Sequence, residues 1–479
     1  MKRLFVMIFA IFCSIVALAG KEDITIKGTI INAGADSVFI SYTDYRENWL
    51  DFHFVSVGGK LDKNGNFLVT VPVPHDYTIL NISIGKEETE VYCSPGDKLV
   101  MTADVADLDN TISYKGVGMD VSVANFMVKY IRKYGLTDNF HRAAHKTMEK
   151  EPEAYVAAMK ELVQRELDFL VENAGGLPAS FITFWNAYYE YTMYNNMLIY
   201  PYMHEIVKHG TYDIDTIPPA NFKVVTQAPE KFNDELMHIL PYRNFVNDYY
   251  SQILTARQKE NPGQRDDDHD AFVDKVIALS RQHMPAKTAE YVFAYQISSA
   301  IHNGKMERVN ALYNQFAERY PNSEYSDFLE DGIAKKKKLS PGAPVIDFIV
   351  YDDDGRKIKL SSLKGKVVYI DFWASWCGPC RAEFKYMKEI RERFAGRDVV
   401  FVYASIDMDE GEWNKARKKY DLQGLHVRLN GEEGKTAVAY GINGVPYYFL
   451  VDREGNFALE HTPRPSQTAE LVKAIESLL

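Results

Sequence analysis

Two cysteines separated by two residues, Cys377-Gly378-Pro379-Cys380, are the residues whose types and spacing point to chemistry most directly. Thiols at that spacing can close into a disulfide. If the first stands at the start of a helix, free N–H groups and the positive end of the helix dipole favour its thiolate and lower the thiol pKa. Trp376 and the pair follow a strand-like run and open a helix-like one, the context a dithiol redox site requires. Cys377 is then the attacking and leaving sulfur. Cys380, one turn inside the helix, is expected to be less exposed and to resolve the mixed disulfide. Half of a zinc site is the competing reading of Cys-x-x-Cys. The other cysteines are Cys13, in an N-terminal segment expected to be removed, and Cys93, in another domain, so no metal and no cofactor are expected.

Asp371 interrupts Val367-Val368-Tyr369-Ile370-Asp371-Phe372-Trp373, a run that reads as a strand buried on both faces. A buried carboxylate without a partner prefers to hold its proton, so its pKa rises. Six residues before Cys377, it can accept the proton of Cys380 when that sulfur attacks; a strand-edge Asp with access to water is the alternative. Glu383, three residues after Cys380, shares its helical face. In Gly444-Val445-Pro446-Tyr447 a proline stands directly before a strand, which fits either an edge strand or a cis bond.

The elements that must position these residues form the end of a longer succession. From Ile24 to about Asp104, apolar residues alternate with polar ones (Ile24, Ile26 and Ile30; Val38, Ile40 and Tyr42), and Asn64-Gly65 is a hairpin-type turn before Phe67, Val69 and Val71, which predicts a small antiparallel sandwich. Cys93, on one face with Val91, reads as a buried core residue. Between about Val121 and Lys338 the apolar spacing is helical, over Ala154–Asn173, Pro178–Met197, Asp270–His283, Lys287–His302 and Lys305–Tyr320. Asp266-Asp267-Asp268-His269-Asp270 fails as a calcium loop, with Ala271 where glycine is required and Ile277 where the bidentate acid belongs, and reads as a solvated loop capping the next helix. Lys335–Lys338 and Leu339-Ser340-Pro341-Gly342 read as a linker. Beyond it, strands at Val367–Trp373, Val399–Ile406, Tyr447–Asp452 and Phe457–Glu460 alternate with helices at Gly378–Phe394, Glu412–Tyr420 and Ser466–Leu479, an α/β order.

A length of 479 residues predicts two to three domains, and 46% hydrophobic with 25% charged residues is the composition of a folded soluble protein. The net charge of −11, spread along the chain, argues against nucleic acid and anionic membrane as partners. Lys2 and Arg3, the apolar run Leu4–Leu18 and the small residues around Ala19 read as a secretory signal cleaved after Ala19, the run being shorter than the roughly 20 residues a membrane span needs. So few cysteines in an exported chain are not structural staples. The expected organisation is a signal peptide over 1–19, a β-rich domain over 20–115, an α-helical domain over 120–335 and a catalytic domain over 340–479, located in the periplasm or cell envelope.

Val368–Glu383, Val445-Pro446 and the order of elements resemble thioredoxin, and more narrowly the exported TlpA/ResA-like thiol:disulfide oxidoreductases. Gly342–Phe348 and Leu360–Lys366 are similar to that family's N-terminal hairpin. The resemblance implies a thioredoxin fold over 340–479 with Cys377 as nucleophile, Cys380 as resolving cysteine and Pro446 as a cis-proline facing the disulfide. It further implies that Val445 offers its backbone to a substrate peptide, and that Trp376, Gly378 and Pro379 complete the substrate-binding surface. Asp371 matches the buried aspartate of thioredoxin and Glu383 a glutamate near the disulfide of ResA-like proteins. Lys385 and Tyr447 depart from the family, which has a proline near the first and commonly threonine at the second. The Gly-Pro pair matches thioredoxin, whose potential of about −270 mV against about −120 mV for the strong periplasmic oxidant implies reduction of substrate disulfides. The partners implied are disulfide-bearing envelope proteins, with apocytochrome c as the best-known class and envelope disulfide repair next, and a membrane electron donor. The β-rich segment resembles an uncharacterised domain that precedes such thioredoxins, and implies no activity. A thiol peroxidase, whose Pro-x-x-x-Thr-x-x-Cys setting is missing here, and a docking module built on a thioredoxin domain are the rival readings.

Overall fold

The computed structural model describes residues 23–44, 50, 53–73, 75–117, 121–136, 138–209, 216–261, 268–352, 354–429, 434–442 and 444–479. The expected signal segment, and Asp266 and Asp267 of the acidic run, lie outside them. Among the described residues, no helix is long and apolar enough to cross a membrane.

The alternation that begins at Ile24 builds eight strands: β1 (Ile24–Ile31), β2 (Ser37–Asp44), β3 (His53–Lys60), β4 (Asn66–Val71), β5 (Thr78–Ile84), β6 (Glu87–Cys93), β7 (Lys98–Asp104) and β8 (Ser113–Val117). They form two sheets, β4-β1-β7-β8 and β3-β2-β5-β6. Ile24, Ile26, Val38, Ile40, Leu80 and Cys93 share one core between them, because period-2 side chains from both sheets point inward. The expected Asn64-Gly65 turn joins β3 to β4, which belong to different sheets and so form no hairpin; Gly65 takes φ 77° there, and a Cβ would stand 1.9 Å from the Ile30 carbonyl oxygen, which leaves room for glycine alone. One pairing departs from the expected antiparallel pattern: β1 lies parallel to β7, with Ile26 opposite Leu99, because the whole of β2 to β6 serves as the crossover that a parallel pair needs.

Helix-spaced apolar residues then fold as α1 (Leu108–Thr111), α2 (Val121–Tyr134), α3 (Asp138–Thr147), α4 (Pro152–Asn173), α5 (Ala179–His209), α6 (Pro219–Phe222), α7 (Leu240–Glu260), α8 (His269–His283), α9 (Ala286–Asn303), α10 (Met306–Arg319) and α11 (Ser326–Lys338). Many of their aromatic residues are core: Trp185 of α5 meets Phe126 of α2 edge-on at 4.8 Å. Asp268 caps α8, its carboxylate accepting from the Asp270 and Ala271 amides. The linker reading of Lys335–Lys338 is corrected, since all four lysines are the last turn of α11. Lysine is a good helix former, and cations suit a helix C-terminus. By its contacts the chain divides between Gln296 and Ile297, inside α9.

In the second of these units a single sheet runs β10-β9-β13-β12-β11-β14, from β9 (Ile349–Tyr351), β10 (Lys357–Lys359), β11 (Val367–Trp373), β12 (Val399–Ser405), β13 (Leu425–Arg428) and β14 (Tyr447–Val451). The helices are α12 (Gly378–Arg393), α13 (Glu410–Lys419), α14 (Gly434–Ala439) and α15 (Thr468–Glu476). Interior β11, next to the edge strand β14, pairs parallel with β12 and antiparallel with β14. Both its faces are covered: Val367, Tyr369 and Trp373 belong to one core, and Val368, Ile370 and Phe372 to the other. This is the thioredoxin-like α/β fold. Phe457–Glu460, expected as a strand, contributes only an isolated bridge from Phe457 to Val451.

Candidate active site

Cys377 sits between the end of β11 and the start of α12. Its extended backbone (φ −74°, ψ 105°) makes it the N-cap, and its sulfur accepts the Cys380 amide N–H at 3.1 Å. Pro379 at the second helical position lacks an N–H, which costs nothing in a first turn whose amides have no carbonyl partner. Cys377 and Cys380 are joined as a disulfide, with Cα atoms 5.3 Å apart. Cys377 is 4% and Cys380 1% exposed, while Trp376 is 65% exposed and Gly378 and Pro379 are open to solvent. The disulfide is thus nearly buried, while the residues beside and between its cysteines are exposed.

The Val445-Pro446 bond is cis. It brings the Val445 carbonyl oxygen within 3.6 Å of Cys377 Sγ. In the disulfide neither sulfur carries a proton, so this is a contact of the oxidised state and offers an acceptor once the thiol forms. Val445 is half-buried and joins the core that holds both cysteines.

Period-2 geometry along β11 places Asp371 on the same face as Tyr369 and Trp373, the face whose core includes Cys377 and Cys380. Asp371 is 1% exposed, and neither carboxylate oxygen has a hydrogen-bond partner. Burial holds its carboxyl well above the ordinary carboxylate range, and the nearby Glu383 charge pushes it the same way. Glu383, 9% exposed, accepts from the Ser466 amide at 2.7 Å and the Ser466 hydroxyl at 3.0 Å. The arrangement joins a helix-capping sulfur, its partner one turn on, and a buried acid that can exchange a proton behind them. That is the equipment of thiol–disulfide exchange.

A family model described as Redoxin matches residues 340–476. The thiol-disulfide oxidoreductase ResA of Bacillus cereus is 33% identical over 128 residues, which are 26% of this chain and 72% of that protein. The chain belongs to the TlpA/ResA-like thiol-disulfide oxidoreductases. ResA of Bacillus subtilis is 32% identical over 122 residues, 26% of this chain and 67% of that protein. Among solved structures, the thioredoxin domain of a thiol-disulfide oxidoreductase from Bacteroides vulgatus is similar at 28% identity and a TM-score of 0.27, covering 29% of this chain and 97% of that one.

This ResA-like site also depends on Asp407, which the residue pattern did not single out. Buried just beyond β12, Asp407 accepts from the Ser375 amide at 2.8 Å, the Ser375 hydroxyl at 2.6 Å and the Ser405 hydroxyl at 2.7 Å. It thereby pins the turn that carries Trp376 and Cys377. The signal available in the sequence was Ser405-Ile406-Asp407 closing a strand next to the motif strand, but the partner lies 32 residues away. Ser466, equally unmarked, is 83 residues from Glu383. Among the described residues no group of three or more His, Cys, Asp or Glu could hold a metal ion.

Proposed function

We propose that this oxidoreductase works outside the cytoplasm as a reductant of disulfides in exported polypeptides. The observation that carries the reading is Asp371: a buried carboxyl without a hydrogen-bond partner, whose affinity for a proton burial raises, on the sulfur face of β11. In the reduced enzyme the Cys377 thiolate attacks a substrate disulfide, forms a Cys377–substrate bond and releases one substrate thiolate. Cys380 then loses its proton to ionised Asp371 and attacks the Cys377 sulfur. The second substrate thiolate leaves, and the Cys377–Cys380 disulfide is regenerated. Two electrons pass to the substrate, and an electron donor at the membrane must return them.

The exposed rim of Trp376, Gly378 and Pro379, with the Val445 backbone beside the sulfur, supports an extended peptide as the substrate. The family resemblance supports apocytochrome c as its class, with other misoxidised envelope proteins next. Export is supported by the character of residues 1–19. The test is the reduced, full-length chain added to insulin, whose chains should separate and precipitate at a rate abolished by Cys377→Ser. Equilibration with glutathione should then give a potential nearer about −270 mV than about −120 mV. A reduced enzyme inert towards insulin, or a potential at the oxidising end, would overturn the reading.

A further inference from the structure

The segment after the sheet of the catalytic unit is tied down at three points. The Glu460 carboxylate accepts the Met306 N–H, at the start of α10, at 2.9 Å, and its charge reaches Lys336 on α11. The Pro463 carbonyl accepts the Tyr369 hydroxyl at 3.3 Å. Ser466 then grips Glu383 with two donors, its amide to Oε2 and its hydroxyl to Oε1. A glutamate on a helix surface ordinarily samples several rotamers; two donors, one to each oxygen, leave this one a single position.

That position matters because of what faces Asp371. Tyr403 of β12 and Tyr448 of β14 stand opposite Asp371 in the sheet register, Tyr369 shares its face of β11, and Glu383 lies on α12 three residues beyond Cys380, while Arg464 of the tied segment acts on Tyr448. Burial holds the three tyrosines neutral. Of these groups, Glu383 is the charge that acts on Asp371 itself. We infer that Ser466 is a positioning residue of the redox site: it fixes the Glu383 charge beside Asp371 and so tunes Asp371 as the proton acceptor for Cys380. The inference rests on the proton-acceptor role proposed above.

The experiment uses the oxidised full-length chain, in which neither cysteine of the pair titrates. The carboxylic acid C=O infrared band of Asp371, assigned by its loss in Asp371→Asn, is followed against pH. Glu383→Gln should move its midpoint to lower pH, because a like charge is removed. Ser466→Ala, which keeps the amide bond and loses the hydroxyl, should move it the same way by a smaller amount, about a few tenths of a pH unit. Ser466→Thr should restore the wild-type midpoint. The double variant Ser466→Ala/Glu383→Gln should coincide with Glu383→Gln alone, since Ser466 acts only through Glu383. A Ser466→Ala curve superimposed on wild type, or a shift that persists undiminished in the Glu383→Gln background, would overturn the inference. Insulin reduction by Asp371→Asn at the wild-type rate is a separate failure, that of the proton-acceptor role itself.

Discussion

Cys377, which caps α12, and Asp371, on β11, belong to the same side of the sheet, and each supplies a distinct measurement. Because burial raises the folded-state pKa of Asp371, the folded protein binds this proton more tightly than the unfolded chain does. Its contribution to stability is fully present below the unfolded value of about 3.9 and is lost as pH rises towards the folded value. Oxidised wild type should therefore lose stability relative to Asp371→Asn by up to about 1.4 kcal/mol per pH unit above about pH 4, levelling off beyond the folded pKa. Urea midpoints at several pH values measure it; parallel curves would mean that Asp371 reaches water. Cys380→Ser should accumulate covalent complexes with disulfide substrates and Cys377→Ser should not, and equal yields from the two would assign the adducts to Cys93 or to chance oxidation. At this scale the cysteine pair and Asp371 were legible, because spacing and an interrupted apolar run are local signals. Asp407 and Ser466 were not, because a hydrogen bond across 32 or 83 residues leaves no periodicity to read.

Among the elements, α12 owes its start to Cys377 and the placement of that start to the turn behind it. Asp407→Ala removes the acceptor of three donors, two of them on Ser375. It should cost about 2–4 kcal/mol in a urea titration and slow insulin reduction as the Trp376–Cys377 turn loosens. An unchanged rate together with lowered stability would confine Asp407 to the fold. The long helices were readable from their apolar spacing, since α4, α5, α8, α9 and α10 each begin within two residues of where the pattern places them. Short β13 was not, since four residues carry too little alternation, and α11 was mistaken at its end because a run of lysines looks alike in a solvated linker and in a last helical turn.

For the molecule as a whole, the boundary between Gln296 and Ile297 assigns α10 and α11 to the catalytic unit rather than to the helices before them. A fragment of residues 297–479 keeps the bond from Met306 to Glu460, and one of residues 340–479 lacks it. The longer fragment should be more stable by at least about 1 kcal/mol, read from urea midpoints, with both reducing insulin. Equal midpoints would make α10 and α11 passengers. The parallel pairing of β1 with β7 has a temporal consequence as well. Thr25 lies opposite Lys98 and β7 in turn pairs with β8, so β1 cannot complete its sheet until both β7 and β8 have followed. Contacts so distant in the chain must close a long loop before they stabilise anything. The sandwich should therefore acquire resistance to protease in one late step, only after β8 (Ser113–Val117) has emerged, and nascent chains stalled before Lys98 should be degraded as unfolded polypeptide.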